Sequence, residues 1–92
     1  MYCQMEEVRA LTLGTTAMTL DMGCRGFLLE NCSQSATVYF REKDADGRDC
    51  NASNGFALGP GDRMNMALAA RTLSLVASAA GTDVRMLLLD MG

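Results

Sequence analysis

The chain reads as short runs in which apolar residues recur at every second position, with turn residues between the runs. In "RALTL", Leu11 and Leu13 share one face, and a Gly-Thr-Thr turn follows. "MTLDM" sets Met18, Leu20 and Met22 against Thr19 and Asp21 and stops at Gly23. "GFLLEN" places Phe27 and Leu29 opposite Leu28 and Glu30, and "ATVYF" puts Val38 and Phe40 on one face after the turn-prone "NCSQS". "GFALGPGD" is an apolar step into a type II turn, with Pro60 leading and Gly61 taking positive φ. "DVRMLLLD" alternates Val84, Met86 and Leu88 against Arg85, Leu87 and Leu89. Side chains of a strand point to opposite faces in turn, so such runs at intervals of about 8–12 residues predict an all-β antiparallel sandwich or barrel.

One segment reads both ways. "DRMNMALAARTLSLVASAAG" fits a helix from an N-cap at Asp62 to Gly81, and its alanines favour that form. It also fits two strands. Met64, Met66 and Leu68 would share one face, a tight turn would fall near Ala70-Arg71, and Leu73, Leu75 and Ala77 would share the next. The local pattern leaves both open.

Ninety-two residues hold one domain, read as an N-terminal arm over 1–7 and a single unit over 8–92. With 49% hydrophobic residues the chain is globular in composition. Its net charge of −3 comes from 11 acidic and 8 basic residues without a run of either sign, so no nucleic-acid surface is expected. The start "MYCQMEEVRA" lacks a basic region and an apolar core, and the stretch 72–82 is broken by serines and glycine. Neither a secretory signal nor a membrane span is expected, which points to synthesis in the cytoplasm. Cys3, Cys24, Cys32 and Cys50 then read as free structural thiols, since paired zinc-ligand spacing and histidine are both missing. Eight methionines are many, and Met18, Met22, Met64, Met66 and Met86 fall on inward faces, as flexible core filler or as the lining of a partner groove.

The acidic stretch "KDADGRDCN" offers the one metal candidate, at Asp44, Asp46 and Asp49. Calcium needs about six to eight oxygens, supplied in a loop at alternate positions. Asp44 and Asp46 suit the first and third positions, but the fifth is the cation Arg48 and no glutamate closes the loop. Asp46-Gly47 is a hairpin-turn dipeptide, because both residues tolerate positive φ. The stretch is expected to be a solvated bend. Catalysis has less support, since without histidine no serine or cysteine nucleophile has its usual base, and no P-loop spacing occurs. No catalytic residue and no cofactor are expected.

The run "RGFLLENCSQSATVYF", then "NGFALGPGDRMNMAL" and "RTLSLVASAAGTDVRMLLLD", resembles small β-sandwich virion proteins of tailed bacteriophages and prophages. Arg25 to Asn31, Ala36 to Tyr39, Gly55 to Gly61 and Asp83 to Arg85 carry the resemblance, which spans about residues 8 to 90. It implies a two-sheet, jelly-roll-like antiparallel sandwich of about eight short strands, and it reads residues 62–81 as a Leu-rich hairpin. It further implies a non-enzymatic structural role in the virion, capsid decoration first, with partners in copies of itself and in another virion protein. The second apolar face of the last run, Leu87 and Leu89 together with Leu28, is the expected interface, unless the N-terminal arm or the second sheet covers it. A trimer would suit a capsid site of local symmetry. The alternative is a carbohydrate-binding tail module, for which the tyrosines are only Tyr2 and Tyr39 and tryptophan is missing.

Overall fold

The computed structural model describes the backbone of residues 4–43, 47–66 and 68–90 and, within it, every side chain except those of residues 4–6, 24 and 90. Among the described residues there is no helix. Six strands form: β1 (Gln4–Leu13), β2 (Met18–Asn31), β3 (Val38–Glu42), β4 (Phe56–Leu58), β5 (Leu68–Ala77) and β6 (Thr82–Asp90). They hydrogen-bond in the order β1-β6-β2-β5-β3-β4, and every pairing is antiparallel. The all-β expectation holds.

The two expected sheets are one continuous six-stranded sheet, which curls into a small sandwich with β2 at its middle serving both layers. On one edge of β2, Gly26 to Asn31 pair with Leu89 to Val84 of β6; on the other, Met18 to Asp21 pair with Leu75 to Thr72 of β5 and Arg25 to Phe27 with Ala70 to Leu68. Between them the register breaks from Asp21 to Arg25. Gly23 occupies φ +59°, a value that costs a residue bearing Cβ but not glycine. Its N–H donates to Asp21 Oδ1 at 3.1 Å, and Arg25 Nε donates to the Met22 carbonyl at 3.1 Å, so the bulge keeps its polar groups satisfied. "MTLDM" and "GFLLEN", which the pattern separates at Gly23, are therefore one bent strand. This merging is a main reason the strands are fewer and longer than expected.

The segment from Asp62 to Ala80 contains a single strand. No turn falls at Ala70-Arg71, because β5 runs unbroken between β2 and β3, pairing Ala70 with Arg25 and Ser74 with Arg41. Two neighbouring strands satisfy its backbone, and that tertiary context outweighs the helical preference of its alanines. Nor do β5 and β6 form a hairpin. The link over 78–81, with Gly81 at φ +74°, carries the chain from a strand flanked by β2 and β3 to one flanked by β1 and β2. Within the expected N-terminal arm over 1–7, residues 4–7 begin β1 and pair with β6.

The Pro60 corner forms as expected. Gly61 has φ +76°, the Asp62 N–H donates to the Gly59 carbonyl at 3.0 Å, and the Gly59 N–H donates back to Asp62 Oδ2 at 3.1 Å. The turn delivers 62–64 to the far side of β2, where Asn31 N–H donates to the Asp62 carbonyl and Met64 N–H to the Leu29 carbonyl. Between the layers lie Phe27, Leu29, Met86 and Leu88 with Val38, Phe40, Leu73 and Leu75, all buried. Met22 and Met86 are core filler, and Met18 and Met64 pack against the core. Met66 departs from the expectation, standing 69% exposed.

Candidate functional site

The acidic bend does not assemble a site among the described residues. Asp44 and Asp46 lie outside them. Asp49 is exposed, and its carboxylate takes an ion pair from Lys43 Nζ at 3.2 Å. Gly47 has φ +72°, as the turn reading requires. The following residues turn their polar groups on one another. Asn51 Oδ1 accepts the N–H groups of Ser53 and Asn54 at 2.8 and 3.0 Å, and Asn54 Oδ1 accepts the N–H of Asn51 at 2.7 Å. Asn54 Nδ2 donates to the Asp49 carbonyl. Among the described residues no group of three or more His, Cys, Asp or Glu is placed to hold a metal ion.

Cys50 leads this loop back into the core. It is buried, its N–H donates to the equally buried Ser74 Oγ at 2.9 Å, and burial pushes its thiol pKa up. Cys32 is exposed, and both are free thiols. A Cβ on Gly55 would collide with Cys50 Sγ and come within 2.9 Å of Tyr39 Cβ, so only glycine fits there.

At the end of the molecule where β3 stops and β5 starts, the two layers do not close. A cleft of about 1130 Å³ opens there. Its floor is Phe27, Phe40, Leu58, Leu73 and Ala70, and its mouth carries Phe56, Met66 and Leu68 at 69%, 69% and 41% exposure. The rings of Phe27 and Phe40 meet edge to face at 6.3 Å, and those of Phe40 and Phe56 lie tilted at 5.7 Å. Three aromatic residues thus run in series from the core to the solvent. The sequence gives little sign of this cleft, because the same alternation places Phe56 and Leu58 on one face whether or not a second layer covers both. Arg41, Glu42 and Arg63 bring charge to the rim.

A second, shallower apolar row crosses the outer face of the other layer. Val8 pairs with Leu87, and Leu87 pairs with Leu28, so the three side chains stand side by side. Val8 is 61% exposed, whereas Leu28 and Leu87 are half-buried. Glu30 and Arg85 flank the row, with Arg63 beside it. Leu89, expected on this surface, is only 6% exposed and has little area to offer a partner. Strand β1, which takes in part of the expected N-terminal arm, pairs Met5 with Leu89 on one side, while Gly26 pairs with it on the other. Of the expected interface, Leu28 and Leu87 come together and Leu89 does not join them.

Near the start of β1, Glu7 accepts Arg9 Nε at 3.0 Å and lies 3.9 Å from Arg25 Nη1. The bond to Arg9 holds the Glu7 carboxyl below its ordinary pKa. Both groups face solvent, and the cluster fits a satisfied strand surface. No protein-family model, no curated protein and no solved structure matches the chain.

Proposed function

We propose that the protein is a non-enzymatic assembly module that acts through its surfaces, in the manner of the small virion proteins its sequence resembles, with capsid decoration as the specific role. The cleft carries this reading. Among the described residues, three of the four large apolar side chains that stand exposed gather at its mouth, above a floor continuous with the core. Contiguous exposed apolar surface costs solvation and is typical of sites that bind another protein. The Val8-Leu87-Leu28 row adds a second contact surface on the opposite layer, suited to another virion protein. Virion and partner come from the resemblance, and the reading involves neither a cofactor nor a nucleic acid. The carbohydrate alternative is weaker, because sugar platforms are built from exposed aromatic rings and Tyr39 is half-buried in β3, paired with Ala57 and Val76. Tyr2 lies outside the described residues.

The test is to induce lytic growth in the bacterium that carries the gene, band the particles on a density gradient and quantify their proteins by mass spectrometry. The protein is expected in many copies per particle. Particles that lack it would overturn the virion role.

A further inference from the structure

We infer that the cleft is closed by the cleft of a second copy of this chain, the two related by a two-fold axis. The inference rests on the reading of the cleft as an assembly surface and names its occupant.

The shape argues for a protein over a small ligand. Pockets for small molecules hide their apolar atoms inside a concavity of about 300–1,000 Å³. Here Phe56, Met66 and Leu68 stand at the mouth, with two of the three more than half exposed. An occupant that covers only the floor would leave them wet. A second surface laid across the mouth covers floor and mouth together, and the best match for a projecting Phe-Met-Leu rim above an apolar floor is another such cleft. β4 also ends the sheet, with no strand on its outer side among the described residues, so the mouth lies beside an open edge.

The rim charges name the partner more closely. Glu42 comes from the end of β3, and Arg63 from the segment that follows the Pro60 corner. Glu42 Oε2 accepts the Arg71 N–H at 2.7 Å, but among the described residues neither Glu42 nor Arg63 has an oppositely charged side chain as partner. Arg41, the third rim charge, has an interaction of its own. The unpaired rim charges among the described residues are therefore one of each sign, and such a rim is complementary to itself. In an isologous contact, Glu42 of one copy meets Arg63 of the other, and the axis makes that pair twice. A polyanion or an anionic membrane would call for a rim of one sign.

The experiment measures mass in solution by light scattering across a dilution series. The full chain is expected at twice its 9.9 kDa mass, dissociating on dilution. Phe56→Asp and Met66→Asp alter exposed positions, so both should keep the β-type circular dichroism spectrum and weaken self-association at least about 100-fold, the scale for burying an unpaired charge in an apolar interface. Glu42→Arg and Arg63→Glu should each weaken it about tenfold, and the double variant should restore it to within about threefold, as expected for a directly coupled pair. A monomeric wild type, a trimer, an oligomer indifferent to Phe56→Asp, or a double variant no better than its parents would each overturn the inference. The outcome is separable from the virion role. A monomer that still enters particles refutes only the two-fold contact, and a dimer missing from particles refutes only the virion role.

Discussion

The two ends of the sandwich are built from the same strands and finish differently. At one end β2 stops, β3 starts and β4 stops, and a single buried side chain ties the three together. Asn31 Nδ2 lies within 2.8–3.0 Å of the carbonyls of Ala36, Leu58 and Gly59, while its Oδ1 accepts the Ser33 N–H at 2.9 Å. At the other end, where β3 stops and β4 and β5 start, no such tie exists among the described residues, and the aromatic series Phe27-Phe40-Phe56 runs out to solvent. A short domain buries a limited share of its surface and has little stability to spare. Leaving one end apolar and wet makes physical sense when another surface covers it. On the assembly reading proposed above, polar closure marks the structural end and apolar opening the end that meets a partner.

The comparison breaks most sharply at Asn31. Asn31→Leu keeps the branched side-chain skeleton but removes every donor to three carbonyls at a fully buried position, and should destabilise by about 3 kcal/mol. In a domain of this size that lowers Tm by more than about 10 °C, readable by thermal denaturation. Self-association, corrected for the folded fraction, should be unchanged. Gly55→Ala comes next, because its Cβ has no room between Cys50 and Tyr39, and overpacking of this kind costs about 1–3 kcal/mol. Phe56→Ser sharpens the contrast from the other side. At 69% exposure it should shift the stability of the isolated chain by no more than about 0.5 kcal/mol while abolishing self-association.

The smallest effect follows from Cys50. Its folded-state pKa is raised above the ordinary 9.0 by burial, so the fold favours the neutral thiol. That contribution is complete below about pH 9 and is lost as pH rises above it, because the unfolded chain ionises first. Stability should therefore decline on the alkaline side, and Cys50→Ala should flatten the decline. In peptide mapping after alkylation of the native protein, Cys32 should react while Cys50 stays protected until unfolding.

Much of the fold was legible in the residues, for reasons that the structure makes plain. Period-2 alternation named the inward faces of β2, β3 and β6, because burial on one face is what alternation records. Pro60-Gly61 declared its turn through a backbone conformation that glycine occupies at low cost, while the Asp46 half of the other expected turn lies outside the described residues. What alternation does not record is continuity. Gly23 looks the same as a terminator or as the bulge of a longer strand, and the choice is made by Arg25 and Asp21 closing the bulge from either side. Ala69-Ala70-Arg71 resembles a turn or a helix until two flanking strands claim its hydrogen bonds. The cleft was hidden for a related reason. Phe40 and Phe56 occupy equivalent inward positions, and only the second layer's reach decides that the first is buried and the second exposed. Leu28 and Leu87 could be read as a second apolar face from their parity, but parity alone does not say that Leu89, between Met5 and Gly26 in the sheet, is buried while Leu28 and Leu87 keep exposed area.

The account stands or falls on where protection depends on concentration. Amide hydrogen exchange of the full chain should be measured at high and at low protein concentration. Slower exchange at high concentration is predicted for residues 40–42, 54–58 and 63–70, with the Asn31 end indifferent. If exchange is the same at both concentrations throughout, or changes only along the row of Val8, Leu28 and Leu87, the open end is not where copies of this chain meet.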